Sequence, residues 1–237
     1  MKAWLSKTGY IKGRQCLKAL YLYKYHFKKR DPLSPERKAR FQRGHSLGVR
    51  ARELFPGGVD ATPSSIFQYT KSVEETRALI REGVSTIYEA AFLYQGALIY
   101  CDILVKDKGE WHLYEVKSSE HISPVYCEDL ALQYFVLCGT GMIPGKAGFI
   151  HLSAPLHDTD DQAPAASIFR ISDYTEFCKM QCKNIEMYLG EMKKTLAAPR
   201  IPAIEMGVQC NQPYPCDFTG FCSRQNHETL PGLFATP

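Results

Sequence analysis

Three charged residues stand inside two apolar stretches of the sequence. Asp102 interrupts Leu-Ile-Tyr-Cys-Asp-Ile-Leu-Val, and Glu115 and Lys117 occur in Leu-Tyr-Glu-Val-Lys. An unpaired carboxylate is costly to bury, so such a group is normally neutralised, paired with a cation or bound to a metal. A divalent metal held by Asp102 and Glu115 fits these residues best. A buried salt bridge of Lys117 with either acid is the alternative.

A β-hairpin is the element that would position these charges. The two apolar stretches flank the segment 106–109, Lys-Asp-Lys-Gly, which is typical of a turn. Because strand side chains alternate between faces, Asp102 shares a face with Leu104, and Glu115 shares a face with Lys117. The opposite faces are apolar as well. Both strands are therefore predicted to be central and covered on both sides.

An aspartate, a turn and Glu-x-Lys in this order resemble the signature of the PD-(D/E)XK nuclease superfamily. The resemblance implies that Asp102 and Glu115 hold magnesium or manganese and that Lys117 assists the attacking water. A metal at this point would polarise the scissile phosphate and lower the pKa of its water. The resemblance also implies an α/β fold with a restriction-endonuclease-like core, in which a central mixed β-sheet is flanked by helices.

Two further motifs resemble the RecB-type branch of this superfamily. Arg-Gly-His45 lies on a predicted helix ahead of the hairpin, and the resemblance implies that His45 joins the metal ligands; an exposed or structural histidine is the alternative. Gln133 lies on the helix after the hairpin and is expected to orient DNA in the catalytic site. Where the branch has tyrosine four residues later, this chain has Leu137, and Tyr134 directly follows the glutamine. Tyr134 is the expected nucleic-acid contact.

The tail of the chain carries three regularly spaced cysteines, Cys210, Cys216 and Cys222, and Cys16 lies near the other end. One N-terminal cysteine and a C-terminal trio around a RecB-type core resemble the iron-sulfur nucleases typified by AddB and the CRISPR-adaptation exonucleases, and also a bacterial family with the same core and similarly wide tail spacing. The resemblance implies that these four thiolates hold one [4Fe-4S] cluster. Zinc is the alternative, because four thiolates also suit a structural zinc ion. The other cysteines are predicted to be small apolar residues: Cys101, Cys127, Cys138, Cys178 and Cys182.

Positive charge is concentrated at the start of the chain. Residues 1–52 hold 15 of the 29 Lys and Arg residues but only two of the 25 acids, so the remainder holds 14 bases and 23 acids. Basic residues alternate with aromatic ones up to Lys28, Lys29 and Arg30. Phosphates pair with bases of this kind and nucleobases stack on aromatic rings, so nucleic acid is the expected partner. A solvated charged face is the alternative.

The remaining pattern predicts an alternation of helices and strands. We expect helices over 6–29, 35–55, 72–83, 123–138 and 172–196, strands over 86–93, 146–152 and 168–171 besides the hairpin, and polar loops over 57–65 and 155–166. The order of a helix, a three-stranded meander, a helix and a strand matches the superfamily core. We expect a single domain over 1–237, divided into a basic helical lobe (1–55), a nuclease core (56–171) and a long helix with the cysteine tail (172–237).

The sequence thus predicts a cytoplasmic Mg2+- or Mn2+-dependent deoxyribonuclease, an exonuclease acting on single-stranded DNA or DNA ends. Neither an apolar stretch of about 20 residues nor a signal-peptide pattern is present in it. The alternatives are an inactive iron-sulfur protein that binds nucleic acid as a scaffold, and a divergent endonuclease. A subunit of a larger repair or defence complex is a further possibility.

Overall fold

The computed structural model describes residues 4–65, 68–155 and 163–228, with the backbone alone for residues 225–228. The predicted polar loop 155–166 therefore falls mostly outside the described residues. The chain forms two compact units: a sheet unit of Met1–Lys7 and Pro35–Ile185, and a helical unit of Thr8–Ser34 and Glu186–Pro237. Residues 35–55 thus group with the sheet, not with the rest of the expected basic lobe. The single-domain assignment itself remains a prediction.

A mixed sheet forms the centre of the sheet unit. Its seven strands, counted over the described residues, are β1 (Leu5–Ser6), β2 (Val59–Asp60), β3 (Thr86–Tyr94), β4 (Ala97–Asp107), β5 (Glu110–Lys117), β6 (Lys146–Leu152) and β7 (Phe169–Asp173). Their order is β2-β3-β4-β5-β6-β7, and β1 pairs with β4. The pairs β3–β4, β4–β5 and β6–β7 are antiparallel, and the pairs β1–β4, β2–β3 and β5–β6 are parallel. The predicted meander and its mixed sheet are confirmed.

The hairpin of β4 and β5 closes with a two-residue turn. Both turn residues, Lys108 and Gly109, have positive φ angles, 49° and 91°. Turns of this type match the twist of the flanking strands and fix their register. The register runs from Asp107 opposite Glu110 to Ile103 opposite Tyr114.

Beyond Tyr114 the two strands part. β5 continues beside β6 as far as Lys117, which pairs with His151, whereas the first residues of β4, Ala97 and Leu98, pair with β1. We call this opening between β4 and β5 the fork. It lies within the sheet, where a backbone ladder would otherwise continue.

Helices of the sheet unit cover both faces of its sheet. The described helices are α1 (Lys7–Gln15), α2 (Leu17–Tyr25), α3 (Pro35–Ala51), α4 (Tyr69–Arg81), α5 (Pro124–Gly139), α6 (Ala165–Ile168), α7 (Thr175–Ala197) and α8 (Thr219–Glu228), with short 3-10 turns at 27–29, 52–54 and 208–210. α5 is buried along residues 129–137 and packs against β3, β4 and β6. α3 contributes Leu47 and Ala51 to the cluster around Ile103 and Tyr114 on the other face.

Two predicted helices differ from the observed ones. The helix expected over 6–29 is broken at Cys16, whose backbone is extended (φ −165°, ψ 121°) and separates α1 from α2. The helix expected to begin at Ser72 begins at Tyr69 instead, and Ser72 lies buried inside it. The serine is therefore a buried residue within the helix and does not cap it. In contrast, Ser123 does cap α5, since its hydroxyl accepts a hydrogen bond from the Tyr126 amide.

The helical unit has a small core of its own, in which Ala19 and Leu22 of α2 contact Phe218. The Lys12 amine forms a buried ion pair with Asp217, 2.5 Å from its Oδ2. The Gln15 side chain donates hydrogen bonds to the carbonyls of Gln209 and Tyr214. These contacts hold the cysteine tail against α1. Over the residues that the structure describes, no helix has both the length and the apolar composition to cross a membrane.

Candidate functional site

Asp102 and Glu115 meet at the fork. They adjoin Ile103 and Tyr114, the last pair of the β4–β5 ladder, so the hairpin brings both to the start of the fork, where the charge of Glu115 acts on Asp102. The Asp102 Oδ2 accepts a hydrogen bond from the Val116 amide at 2.7 Å. A side-chain oxygen thereby satisfies a backbone donor at the point where the two strands separate. The structure brings the two predicted acids together.

Lys117 lies two residues beyond Glu115 on the same face of β5. Its amine is 2.6 Å from Glu115 Oε1 and 2.9 Å from Asp129 Oδ2. The contact with Glu115 is the ion pair that the salt-bridge alternative predicts. Lys117 also lies over the Tyr126 ring, 4.8 Å from its centroid, so several groups fix the position of the amine.

Asp129 and Gln133 reach the site from α5. They are four residues apart and therefore share one face of the helix. The Gln133 amide donates to Glu115 Oε2 at 2.7 Å, and both α5 side chains are buried. Gln133 is thus where the sequence predicts it. Asp129 was not predicted, although an aspartate one turn before that glutamine in an apolar helix was a usable signal.

Lys7 is the second residue that the sequence did not reveal. It directly follows β1, whose pairing with Ala97 and Leu98 carries the chain to the open end of the fork. The Lys7 amine lies 2.9 Å from Glu115 Oε1, 3.1 Å from Glu115 Oε2 and 3.7 Å from Asp129 Oδ2. No local pattern distinguishes this lysine from the other N-terminal bases, because the contact spans 108 residues of sequence.

Glu89 of β3 completes a row of acids across three strands. It falls between the pairs of Tyr88 with Ile103 and Ala90 with Cys101, on the strand that flanks β4 on the side away from β5. Its φ angle of 55° is in the left-handed region, which non-glycine residues adopt rarely. Its carboxylate is half-buried and lies 3.8 Å from the guanidinium of Arg52. Glu89 is a candidate site carboxylate, as the local distortion of the strand indicates.

The site holds more buried acid than its lysines neutralise. Burial and the negative charge of Glu115 raise the pKa of Asp102 to about 7. Burial also raises the pKa of Glu89 and of Asp129 above their ordinary values. Burial alone would raise the pKa of Glu115, but Lys117 and Lys7 outweigh it and lower that pKa. Two ammonium groups therefore keep Glu115 ionised. For the other three acids, nearby positive charge does not offset the effect of burial on the pKa.

Two buried oxygens of the site, Asp129 Oδ1 and Gln133 Oε1, have no hydrogen-bond partner among the described residues. Buried acceptors are rarely left unpaired, so a water or a cation is expected beside them. Together with Asp102 and Glu115 they form an all-oxygen set of the kind that suits Mg2+ or Mn2+. In the described parts of the chain no three His, Cys, Asp or Glu side chains converge on one point as metal ligands. At Glu115 and Asp129 both lysine amines lie against the carboxylates instead.

His45 and Tyr134, two predicted site residues, are not joined to this network. His45 is exposed on α3, the helix on the opposite face of the sheet, although the adjacent Gly44 lies beside Ser118. Tyr134 is 3% exposed and faces the interior of the sheet unit. Burial raises its pKa, together with the nearby Cys138. A buried ring does not suit contact with nucleic acid, so the expectation for Tyr134 is corrected to a packing position.

The four predicted cluster cysteines line one pocket of the helical unit. Cys16 enters it from the break between α1 and α2, and Cys210, Cys216 and Cys222 enter it from the tail. The Cys216 amide donates to the Cys210 carbonyl at 2.8 Å, which closes the loop between them. Burial raises the pKa of Cys216 and of Cys222, and the neighbouring cysteines add to the effect. Four cysteines around one pocket offer the thiol donors that an iron-sulfur cluster or zinc uses, although among the described residues no three of them converge on one point as ligands.

The predicted basic segment is largely exposed. Lys28 and Lys29 extend into solvent from the 3-10 turn after α2. The Arg30 guanidinium stacks on Phe27, 4.5 Å from its ring centroid, and Phe27 is 49% exposed. Tyr21 is buried and belongs to the core instead. Charged and aromatic groups at the end of this segment are thus available to a ligand.

Models of known protein families and curated protein sequences were compared with the chain, and none of them matches it.

Proposed function

We propose that the protein is a metal-dependent DNA nuclease of the PD-(D/E)XK superfamily and that its sheet unit is a restriction-endonuclease-like core. The observation that carries the proposal is the fork, where Asp102 accepts a hydrogen bond from the amide that follows Glu115 and Lys117 contacts Glu115 at 2.6 Å. The stability of an apolar core does not require such a group of buried charges. Buried ion pairs contribute little to stability compared with apolar side chains of similar size.

Each residue has a definite task in this proposal. Asp102 and Glu115 would hold Mg2+ or Mn2+, with Asp129 as a further oxygen donor. The bound metal would polarise the scissile phosphate and supply a nucleophilic water at neutral pH. Lys117 would orient the water and stabilise the negative charge that develops on the phosphate. Gln133 fixes the orientation of the Glu115 carboxylate through its hydrogen bond.

The reaction would be hydrolysis of a phosphodiester. The oxygen of water forms a bond to phosphorus, the bond to one ester oxygen breaks, and that oxygen takes up a proton. No oxidant or reductant is needed. An iron-sulfur cluster held by the cysteines would therefore have a structural role.

The direct test is cleavage of end-labelled single- and double-stranded DNA by anaerobically purified protein, with Mn2+, with Mg2+ and with EDTA. We expect metal-dependent cleavage that is lost in Asp102→Asn, Glu115→Gln and Lys117→Met. Circular single-stranded DNA separates the alternatives, because an exonuclease leaves it intact and an endonuclease opens it. Asp107→Asn, at the exposed end of the same strand, is the matched control and should cleave normally.

The proposal fails if the three variants keep activity within about tenfold of wild type, which is about 1.4 kcal/mol of barrier. The residues would then be structural, and the protein would fit the scaffold alternative. Folding of each variant is checked by its thermal unfolding.

We also propose that the exposed segment with Lys28, Lys29 and Arg30 contributes nonspecific affinity for DNA. Each phosphate contact releases counterions, so log affinity falls linearly with log salt concentration. Replacing these three residues by glutamine should flatten that slope by about two to three units, since the slope changes by about 0.7–0.9 per contact. The same replacement of Lys183, Lys193 and Lys194, exposed on α7, is the control. Equal slopes in all three proteins would assign the DNA contact to another surface.

For the helical unit we propose that Cys16, Cys210, Cys216 and Cys222 hold one [4Fe-4S] cluster. The support is their common pocket and the chemistry of four thiols. Thiolates are costly to bury alone, and a cluster would compensate for that cost, as the raised pKa values of Cys216 and Cys222 indicate.

A further inference from the structure

The amine of Lys7 contacts both oxygens of Glu115, at 2.9 Å and 3.1 Å, and lies 3.7 Å from Asp129. A cation placed symmetrically against a carboxylate in this way occupies the bidentate position. Divalent metal ions also use that position on carboxylates. The Lys7 ammonium group therefore lies against Glu115 where the proposed function requires a divalent metal ion.

We infer that Lys7 is a tethered counter-ion that occupies the divalent cation's place on Glu115 and leaves it when the cation binds. The inference rests on the proposed function, since it concerns the metal site of the nuclease. It assigns the start of the chain to control of that site: the metal must compete with a residue of the protein itself.

Three features make Lys7 the lysine that leaves. Its side chain is 28% exposed, whereas that of Lys117 is 14% exposed, so the Lys7 amine has the easier route to solvent. Its distance to Asp129 is longer, 3.7 Å against 2.9 Å for Lys117. Its backbone is the junction between a strand of two residues and the first turn of α1, whereas Lys117 belongs to a strand paired with β6 over six residues.

The remaining contacts of Glu115 stay in place when Lys7 leaves. Lys117 holds Oε1 at 2.6 Å and Gln133 holds Oε2 at 2.7 Å. The carboxylate therefore keeps its orientation and exposes the side that Lys7 covered. The buried and unpartnered Asp129 Oδ1 offers the incoming cation a further oxygen.

The test measures metal binding and does not depend on cleavage. Mn2+ is titrated calorimetrically into the metal-free full-length protein, into Lys7→Met and into Lys117→Met. Because the competent state of the wild type is only partly populated, removing the competitor should lower the Kd of Lys7→Met by about tenfold or more. Simple charge repulsion predicts an equal or larger effect for Lys117→Met, whose amine is nearer to Glu115. Displacement of Lys7 predicts that Lys117→Met changes the Mn2+ affinity clearly less than Lys7→Met does.

A second measurement uses the wild-type chain alone. Metal-free and Mg2+-loaded protein are acetylated briefly, and the modified lysines are identified by mass spectrometry. We expect Mg2+ to increase acetylation of Lys7 several-fold and to leave Lys117 protected.

The outcomes separate this inference from the proposed function. Equal Mn2+ affinity in wild type and Lys7→Met, equal tightening in both lysine variants, or unchanged Lys7 acetylation would overturn the displacement while the metal site stands. Glu115→Gln is titrated as a further control. If no form binds Mn2+, or if Glu115→Gln binds it as tightly as wild type does, the metal site and the displacement are overturned together.

Discussion

Asp102 is the residue whose protonation links the site to the stability of the fold. Its pKa is about 7 in the folded protein and near 3.8 in an ordinary environment, because burial and the charge of Glu115 disfavour the ionised form. Between about pH 4 and pH 7 the native state therefore keeps a proton that the unfolded chain has released. The free energy of unfolding contributed by this residue falls as pH rises through that range.

We expect Asp102→Asn to remove this dependence, because its amide cannot titrate and can still accept the hydrogen bond from Val116. In urea titrations of metal-free protein, wild type should lose stability relative to Asp102→Asn between about pH 4 and pH 7. Saturating Mn2+ should restore wild type at pH 8 and have little effect on the variant. Parallel stability curves for the two proteins would mean that Asp102 is ionised throughout.

Among the elements, the pairing of β6 with β7 depends on one glycine. A Cβ on Gly148 would overlap the backbone oxygen of Ser172 on the neighbouring strand, and backbone cannot rotate away as a side chain can. We expect Gly148→Ala to reduce the free energy of unfolding by about 1–3 kcal/mol, the usual cost of overpacking. Thermal unfolding measures the change.

Gly190 provides the matched control, because it lies exposed inside α7 and, apart from the backbone of its own helix, no atom lies within 4 Å of the added carbon. Gly190→Ala should stabilise the protein by about 0.5–1 kcal/mol through helix propensity. The two substitutions are chemically identical, so opposite signs would isolate the effect of the strand contact. Two effects of the same sign would contradict it.

Elements with a strong local signal could be predicted from the sequence, and those fixed by distant contacts could not. Alternation and turn residues predicted the hairpin, and β6 occupies the predicted range. The break at Cys16 was missed, because the apolar periodicity of α1 continues into α2 and only the contacts of the tail explain the extended backbone. β2 was missed because two residues carry no periodicity. Lys7 was missed because its partner lies 108 residues away.

On the scale of the whole molecule, the four pocket cysteines come from segments far apart in the sequence, and the proposed cluster would crosslink those segments. A crosslink that closes so long a loop restricts the unfolded chain, which by the loop-entropy model is worth about 5 kcal/mol. With the proposed [4Fe-4S] cluster the wild-type protein should be brown, and replacement of any of the four cysteines by serine should remove iron, bleach the colour and lower the Tm. Iron, sulfide and zinc analyses of anaerobically purified protein measure the cofactor.

The five other cysteines are the controls, and their serine variants should keep the colour. If the analysis finds one zinc ion per chain and neither iron nor sulfide, the site is a zinc site and not a cluster, and the proposed crosslink still holds. A colourless, stable and fully active quadruple serine variant would contradict both the cluster and the crosslink.

The turn at Lys108 and Gly109 has a consequence for how this chain could diverge. Asp102 and Glu115 are each several residues from the turn, yet the type and length of the turn help to set the register that brings both to the fork. One residue added there would bring Tyr114 or Val116 opposite Asp102 and point Glu115 into the packed layer beneath α3. Descendants of this chain should therefore vary freely in the loops between other strands, while the connection between β4 and β5 keeps its length unless the acids move with it.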